Sequence, residues 1–164
     1  MRKTLFKQNY KLLKKFIPEL LTYEEPDFCF NRKPVWTNEY HCIYGAYVEK
    51  LYENFVQVGT YYYMDNFEIS NKNEGEYTHD PYMIILFNNE LEIARIKEFY
   101  TDNPRVATLL GGKGGLLHLF FNCNETSEET LEEREYNNYL NEWLREYSKA
   151  RKQDKNYFQK LKIY

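Results

Sequence analysis

Phe6, Tyr10, Leu13 and Ile17 recur at helical spacing, with Leu5, Leu12 and Phe16 beside them and Lys7, Lys11, Lys14 and Lys15 opposite. The pattern predicts an amphipathic helix that Pro18 stops, since proline lacks the N–H and its ring clashes with the preceding turn. Tyr23 to Asn38 carries Pro26 and Pro34 and reads as irregular chain or an edge strand. His41 to Leu51 and Phe55 to Met64 are rich in Tyr, Val and Ile around Glu53-Asn54, which predicts a hairpin. Asn71 to Asp80, containing Gly75, reads as a polar loop. Pro81 then opens Tyr82 to Phe87, a strand apolar on both faces and therefore central. Asn88-Asn89 turns the chain and Leu91 to Tyr100 pairs back, with a helix as the rival assignment because Leu91, Ala94 and Arg95 share helical spacing. Thr126 with Glu129 three residues on makes a capping-box pattern. Behind it Tyr136, Tyr139, Leu140, Trp143, Leu144 and Tyr147 mark the clearest helix in the chain.

These elements predict an α+β fold: an antiparallel sheet of four or more strands with an N-terminal and a long C-terminal helix on one face. Residues 1–164 read as one domain, its core over about 5–147 and its last stretch, 148–164, a basic C-terminal extension. A chain of this length buries roughly 70% of its unfolded surface and needs no disulfide or metal to hold it. No internal repeat and no long linker interrupts it.

Composition adds one feature: Tyr, Phe and Trp make up 18% of the residues, and 17 of these are Tyr. Rings at core spacing imply cohesion of the globule first, each phenol needing water or a partner at its tip. The net charge of -3 gives no overall polycation to suggest nucleic acid as the default partner. Basic residues do cluster at Arg2 to Lys15 and again beyond Arg145. Cys29, Cys42 and Cys123 are scattered, so three free thiols in a reducing cytoplasm are expected. No apolar run reaches membrane length, the longest being Met83 to Phe87, and no integral membrane association is expected.

Three blocks carry a family resemblance. They are Asn9-Tyr10-Lys11-Leu12-Leu13 followed by Pro18; Pro81 to Leu86, a short turn and Ile93-Ala94; and Leu140-Asn141-Glu142-Trp143-Leu144. Together they resemble the YqiB-like family of bacterial proteins, over most of residues 5–147. The family has no established activity, so the resemblance implies a bacterial cytosolic α+β protein and no catalytic role. Where the family tends to place His-Asp in the middle turn and Ala-Glu after it, this chain has Asn88-Asn89 and Ala94-Arg95. Any acid–base chemistry at that turn would be lost here. Residues 108–125 and those beyond Arg151 look like local elaborations.

The chemistry-bearing candidates are sparse. Gly111-Gly112-Lys113-Gly114-Gly115 could wrap backbone N–H groups about a phosphate, but Gly114 stands where a P-loop needs Ser or Thr, so a hairpin tip or surface loop is the plainer reading. Arg105 and Lys113 form the candidate anion-binding pair. Tyr61 and Tyr63, with Tyr62 between them and Tyr44 and Tyr47 nearby, form a candidate aromatic ligand surface, although no RNA-binding signature accompanies them. His41, His79 and His118 match no zinc spacing, so neither metal nor cofactor is expected. His79-Asp80 is a possible base with its orienting carboxylate, better read as a solvated loop pair. Ser70, Ser127 and Ser148 show no catalytic partner. The expectation is a non-catalytic regulatory or adaptor protein acting through a protein partner, with the uncovered sheet face and the basic first helix as its surfaces. A nucleotide- or RNA-binding module using exposed tyrosines with Lys113 and Arg105 is the second reading, and a hydrolase of unrecognised type the third.

Overall fold

A computed structural model of the chain describes residues 3–18, 28–32, 42–52, 54–64, 76–110, 117–153 and 158–160, with side chains at 4–18, 54–60, 81–103, 106–110 and 117–149. Helix α1 spans Lys3–Phe16 and is followed by strands β1 (Phe28–Arg32), β2 (Cys42–Tyr52), β3 (Phe55–Met64), β4 (Glu76–Asn88) and β5 (Ile93–Thr101). A short helix α2 (Pro104–Leu109), strand β6 (Leu117–Phe120), the long helix α3 (Leu131–Gln153) and strand β7 (Phe158–Lys160) complete the order. The seven strands form one antiparallel sheet in the order β6-β5-β4-β3-β2-β1-β7. Six of them follow one another as a meander, and β7 returns to lie outside β1. The α+β class and the two helices packed on the sheet match the expectation from the pattern. Among the described residues no helix is long and apolar enough to cross a membrane.

Alternation decides which face the helices cover. Val56, Val58, Met83, Ile85, Phe87, Ala94, Ile96 and Phe99 are buried in one cluster with Tyr10, Leu13 and Phe16 of α1 and Tyr136, Leu140, Trp143, Leu144 and Tyr147 of α3. Phe16 meets Trp143 edge-on at 5.5 Å, and the indole Nε1 donates to Thr60 Oγ1 at 3.0 Å, which satisfies the buried polar atom of that ring. Strand β4 therefore sends Met83, Ile85 and Phe87 inward while Tyr82 and Ile84 lie on the other, half-exposed face.

Several local expectations change. Helix α3 begins at Leu131, and its cap is Thr130: the Glu133 N–H donates to Thr130 Oγ1 at 3.1 Å. The Thr126/Glu129 pattern sits before it, where Asn124 Oδ1 accepts from the Thr126 and Ser127 N–H groups and folds an Asx turn instead. Two consecutive Thr-x-x-Glu patterns compete here, and the helix starts at the second. Residues 76–80 belong to β4 rather than to a polar loop, so His79 and Asp80 are strand residues. Residues 93–101 form a strand, and the helical rival is excluded because their backbone groups pair with β4 and β6. The turn before them is longer than Asn88-Asn89, with Asn88 Oδ1 accepting from the Glu90 and Leu91 N–H groups and Glu92 at φ 54°. The stretch read as a basic extension supplies the end of α3 and strand β7.

Gly59 stands opposite Tyr82, where a Cβ would lie 2.9 Å from the Pro81 carbonyl oxygen and 3.2 Å from Tyr82 Cβ. Alanine normally stabilises a strand relative to glycine, but here backbone blocks it. Gly59→Ala is expected to destabilise the protein by ~1–3 kcal/mol in urea unfolding. Burial, reinforced by Glu132 and Glu135, pushes the Tyr136 phenol from 10.0 up to about 12. The folded chain then keeps a proton that the unfolded chain releases, so this contribution is complete below pH 10 and is lost as pH rises to about 12. The urea midpoint is expected to fall across that interval, and to fall less steeply in Tyr136→Phe.

Candidate functional site

Two places gather polar side chains, one buried and one open. The buried one centres on Arg95, which is fully enclosed. Its Nη2 donates to Glu133 Oε2 at 2.6 Å, and its Nη1 donates to the carbonyl oxygens of Ser127 at 2.6 Å and Asn124 at 3.1 Å. The guanidinium carbon lies 4.5 Å from the centre of the Phe6 ring. Only Nε meets no acceptor among the described residues. Beside it, Asn141 Nδ2 donates to Asn9 Oδ1 at 2.8 Å, and Asn137 Oδ1 accepts from the Ile96 N–H at 2.7 Å while its Nδ2 donates to Glu129 Oε2 at 2.8 Å. Tyr10 donates to Asn89 Oδ1 at 2.9 Å. Helix α1 thus meets α3 through Asn9 and the β4–β5 turn through Tyr10. Arg95 is thereby committed to cohesion between β5, α1 and the start of α3.

The open place lies on the sheet face away from the helices. Cross-strand register aligns Tyr82, Tyr100 and His118 in one row and Ile84, Glu98 and Phe120 in the next. Tyr82 and Tyr100 stack with centroids 4.9 Å apart, and His118 stands edge-on to Tyr100 at 5.4 Å. His118 Nε2 is 2.5 Å from Glu98 Oε1, its side chain 49% exposed. Phe120 is 70% exposed. Burial, then the Glu98 charge, raises the Tyr82 phenol above its ordinary range, so it stays a neutral donor at any physiological pH. Lys97 is the extra residue of a bulge between the Ile84 and Ile85 registers, and its ammonium donates to the Cys123 carbonyl at 2.9 Å and lies 5.0 Å from the Phe120 ring centre. Burial pushes the Cys123 thiol up, away from reactivity.

A third feature is an open groove of about 320 Å³ between α2 and α3, lined by Leu109, Leu110, Glu135, Asn138, Tyr139 and Glu142. It is a surface depression rather than an enclosed chamber. Among the described residues, no three His, Cys, Asp or Glu side chains are grouped to hold a metal.

Of the residues singled out from the sequence, His118 stands on the open face. Tyr61 pairs with Gly45 and His79, and Tyr63 with Ile43 and Tyr77, on β3; their side chains lie outside those described. Arg105 is in α2 with its side chain likewise outside, and Lys113 and the whole glycine loop fall outside the described residues, as does His41. Ser127 and Ser148 have structural duties: the Ser127 hydroxyl donates to the Asn124 carbonyl and the Ser148 hydroxyl to the Leu12 carbonyl, at 3.3 and 3.2 Å. The open-face row was missed because its members come from three strands whose mutual register local sequence does not reveal. Alternation of His118 and Phe120 with Leu117 and Leu119 was the available signal.

No family model, no curated protein and no solved structure matches this chain.

The buried pair has a sharp energetic signature. Removing one partner, as in Arg95→Met or Glu133→Gln, is expected to cost ~3–5 kcal/mol, since it strands the other charge without water. An apolar replacement of both is expected to recover most of that loss, measured as a double-mutant cycle in urea.

Proposed function

We propose that this protein is a non-catalytic regulatory or adaptor unit that binds a protein partner through the open face of β4, β5 and β6, and that it is a bacterial, cytosolic member of the YqiB-like family. The observation that supports the reading is the row Tyr82–Tyr100–His118 beside Ile84, Glu98 and Phe120. Interface centres are rich in aromatic side chains and poor in charge, and here the Lys97 ammonium is already engaged by a carbonyl. The two rings stack on each other, which leaves less ring face for a base than a free platform would offer. Glu98 adds a negative charge where a phosphate backbone would need a positive one. Nucleotide or RNA binding therefore ranks second and rests on Arg105 and Lys113. Hydrolysis ranks third, because the His118–Glu98 pair faces outward beside phenols rather than into a water-excluding pocket.

Changes in the middle of the face test this reading. The protein, cross-linked in its source cells, is expected to capture one partner at comparable abundance. With that partner purified, Tyr100→Ala and Ile84→Lys are each expected to weaken binding at least about thirtyfold, the ~2 kcal/mol of an interface anchor. Unchanged calorimetric affinity in both variants would remove the face from the account.

A further inference from the structure

Strand β6 ends the sheet, and its hydrogen bonding shows which way its backbone groups face. The Phe121 N–H donates to the Lys97 carbonyl at 2.9 Å, so at Phe121 the main chain points toward β5. In an antiparallel ladder such residues alternate with ones whose N–H and C=O point the other way. Leu119 is paired with Phe99 and Leu117 with Thr101, and these share the orientation of Phe121. His118 and Phe120 therefore turn their main-chain donors and acceptors to the outer side of the sheet. An edge of this kind is normally blunted by lysine, proline or a bulge, and Leu117-His118-Leu119-Phe120 contains none of these.

We propose that this edge is the place where two copies of the chain pair, β6 running antiparallel to the β6 of a second copy about a two-fold axis at Leu119. The strand is self-complementary under that operation. His118 of one copy falls opposite Phe120 of the other, twice, and each such pair exchanges two main-chain hydrogen bonds because both residues face outward. On the open face each Phe120 ring, now 70% exposed, gains an imidazole neighbour, and the aromatic row of one copy runs into that of the next. On the helix face the two half-buried Leu119 side chains meet. No charged side chain of the strand meets its like. The nearest carboxylate, Glu98, is engaged by His118 within its own copy. The joined edge spans few residues, so the dimer is weak and concentration-dependent, of the small transient class of interfaces. This pairing goes beyond the partner reading and uses the edge rather than the centre of the face.

Sedimentation velocity of the full chain across the micromolar range tests it. The wild type is expected to move from monomer to dimer as concentration rises. His118→Pro removes an outward donor while leaving the Leu119 and Phe121 bonds to β5 in place, and is expected to stay folded and monomeric, its urea midpoint lowered only by loss of the His118 contacts to Glu98 and Tyr100. Should that proline disturb folding, Phe120→Glu gives the same readout without touching the backbone. Leu119→Cys is expected to form a cross-chain disulfide in air, because a non-hydrogen-bonded antiparallel pair sets its Cα atoms about 4.5 Å apart. A wild type that stays monomeric throughout, or a dimer that survives both His118→Pro and Phe120→Glu, overturns the proposal. Partner capture by Tyr100 and Ile84 variants is read separately, so either idea can fail alone.

Discussion

The Arg95–Glu133 contact is the constraint around which the rest of the molecule is arranged. A guanidinium without solvent is tolerable only when its donors are met, and three elements contribute to meeting them: α3 with a carboxylate, the loop before it with two carbonyls, and α1 with the Phe6 ring. Glu133 also sits three residues past the cap of α3, where the helix dipole favours a negative charge, so one carboxylate serves the helix start and the arginine together. The start of α3 is thereby tied to one place on β5. From there the helix crosses the sheet until Trp143 reaches Thr60 on β3. The asparagines 9, 137 and 141 extend the same logic, each joining helix to helix or helix to strand through an amide.

What was legible in advance follows from physics that acts over short distances. The stripe of α1, the stripe of α3 and the β2–β3 hairpin depend on spacing within one segment and form where the pattern placed them, whereas the strand expected after Pro81 begins earlier, at Glu76. The start of α3 shows the limit. Thr126 and Thr130 both precede a glutamate at the right interval, and what separates them is Arg95, distant in sequence, which engages Glu133. Likewise β6 and β7 fell within stretches read as local elaborations, because four and three residues carry too little periodicity. The open-face row needed the pairing of three strands before it existed as a surface. Of the residues named as site candidates, Tyr61, Tyr63 and Arg105 have known places on the backbone alone.

The two sides of the sheet answer to different demands. Among the described residues the helix-covered side is dry, and its buried polar atoms are nearly all paired. The other side leaves Tyr82, Tyr100 and His118 partly in water, with rings packed on one another for want of a covering layer. Stacked rings across strands stiffen a sheet by ~0.2–1 kcal/mol per pair, so a row of this kind has a structural reason as well as a recognition one. The outermost position, Phe120, has no such excuse, because its ring touches one ammonium and otherwise faces solvent.

The pairing of Phe30 with Lys160 has a consequence for how the chain is made. Strand β1 leaves the ribosome long before β7, which follows it far along the chain. Until β7 emerges, β1 stands as a naked border of a growing sheet, open to a neighbouring nascent chain on the same message. Closure of that border waits on the slowest kind of contact, one between residues far apart along the polymer. Rapid synthesis, or a chaperone that shields the early strands, would favour the monomeric product over tangled co-translational assemblies.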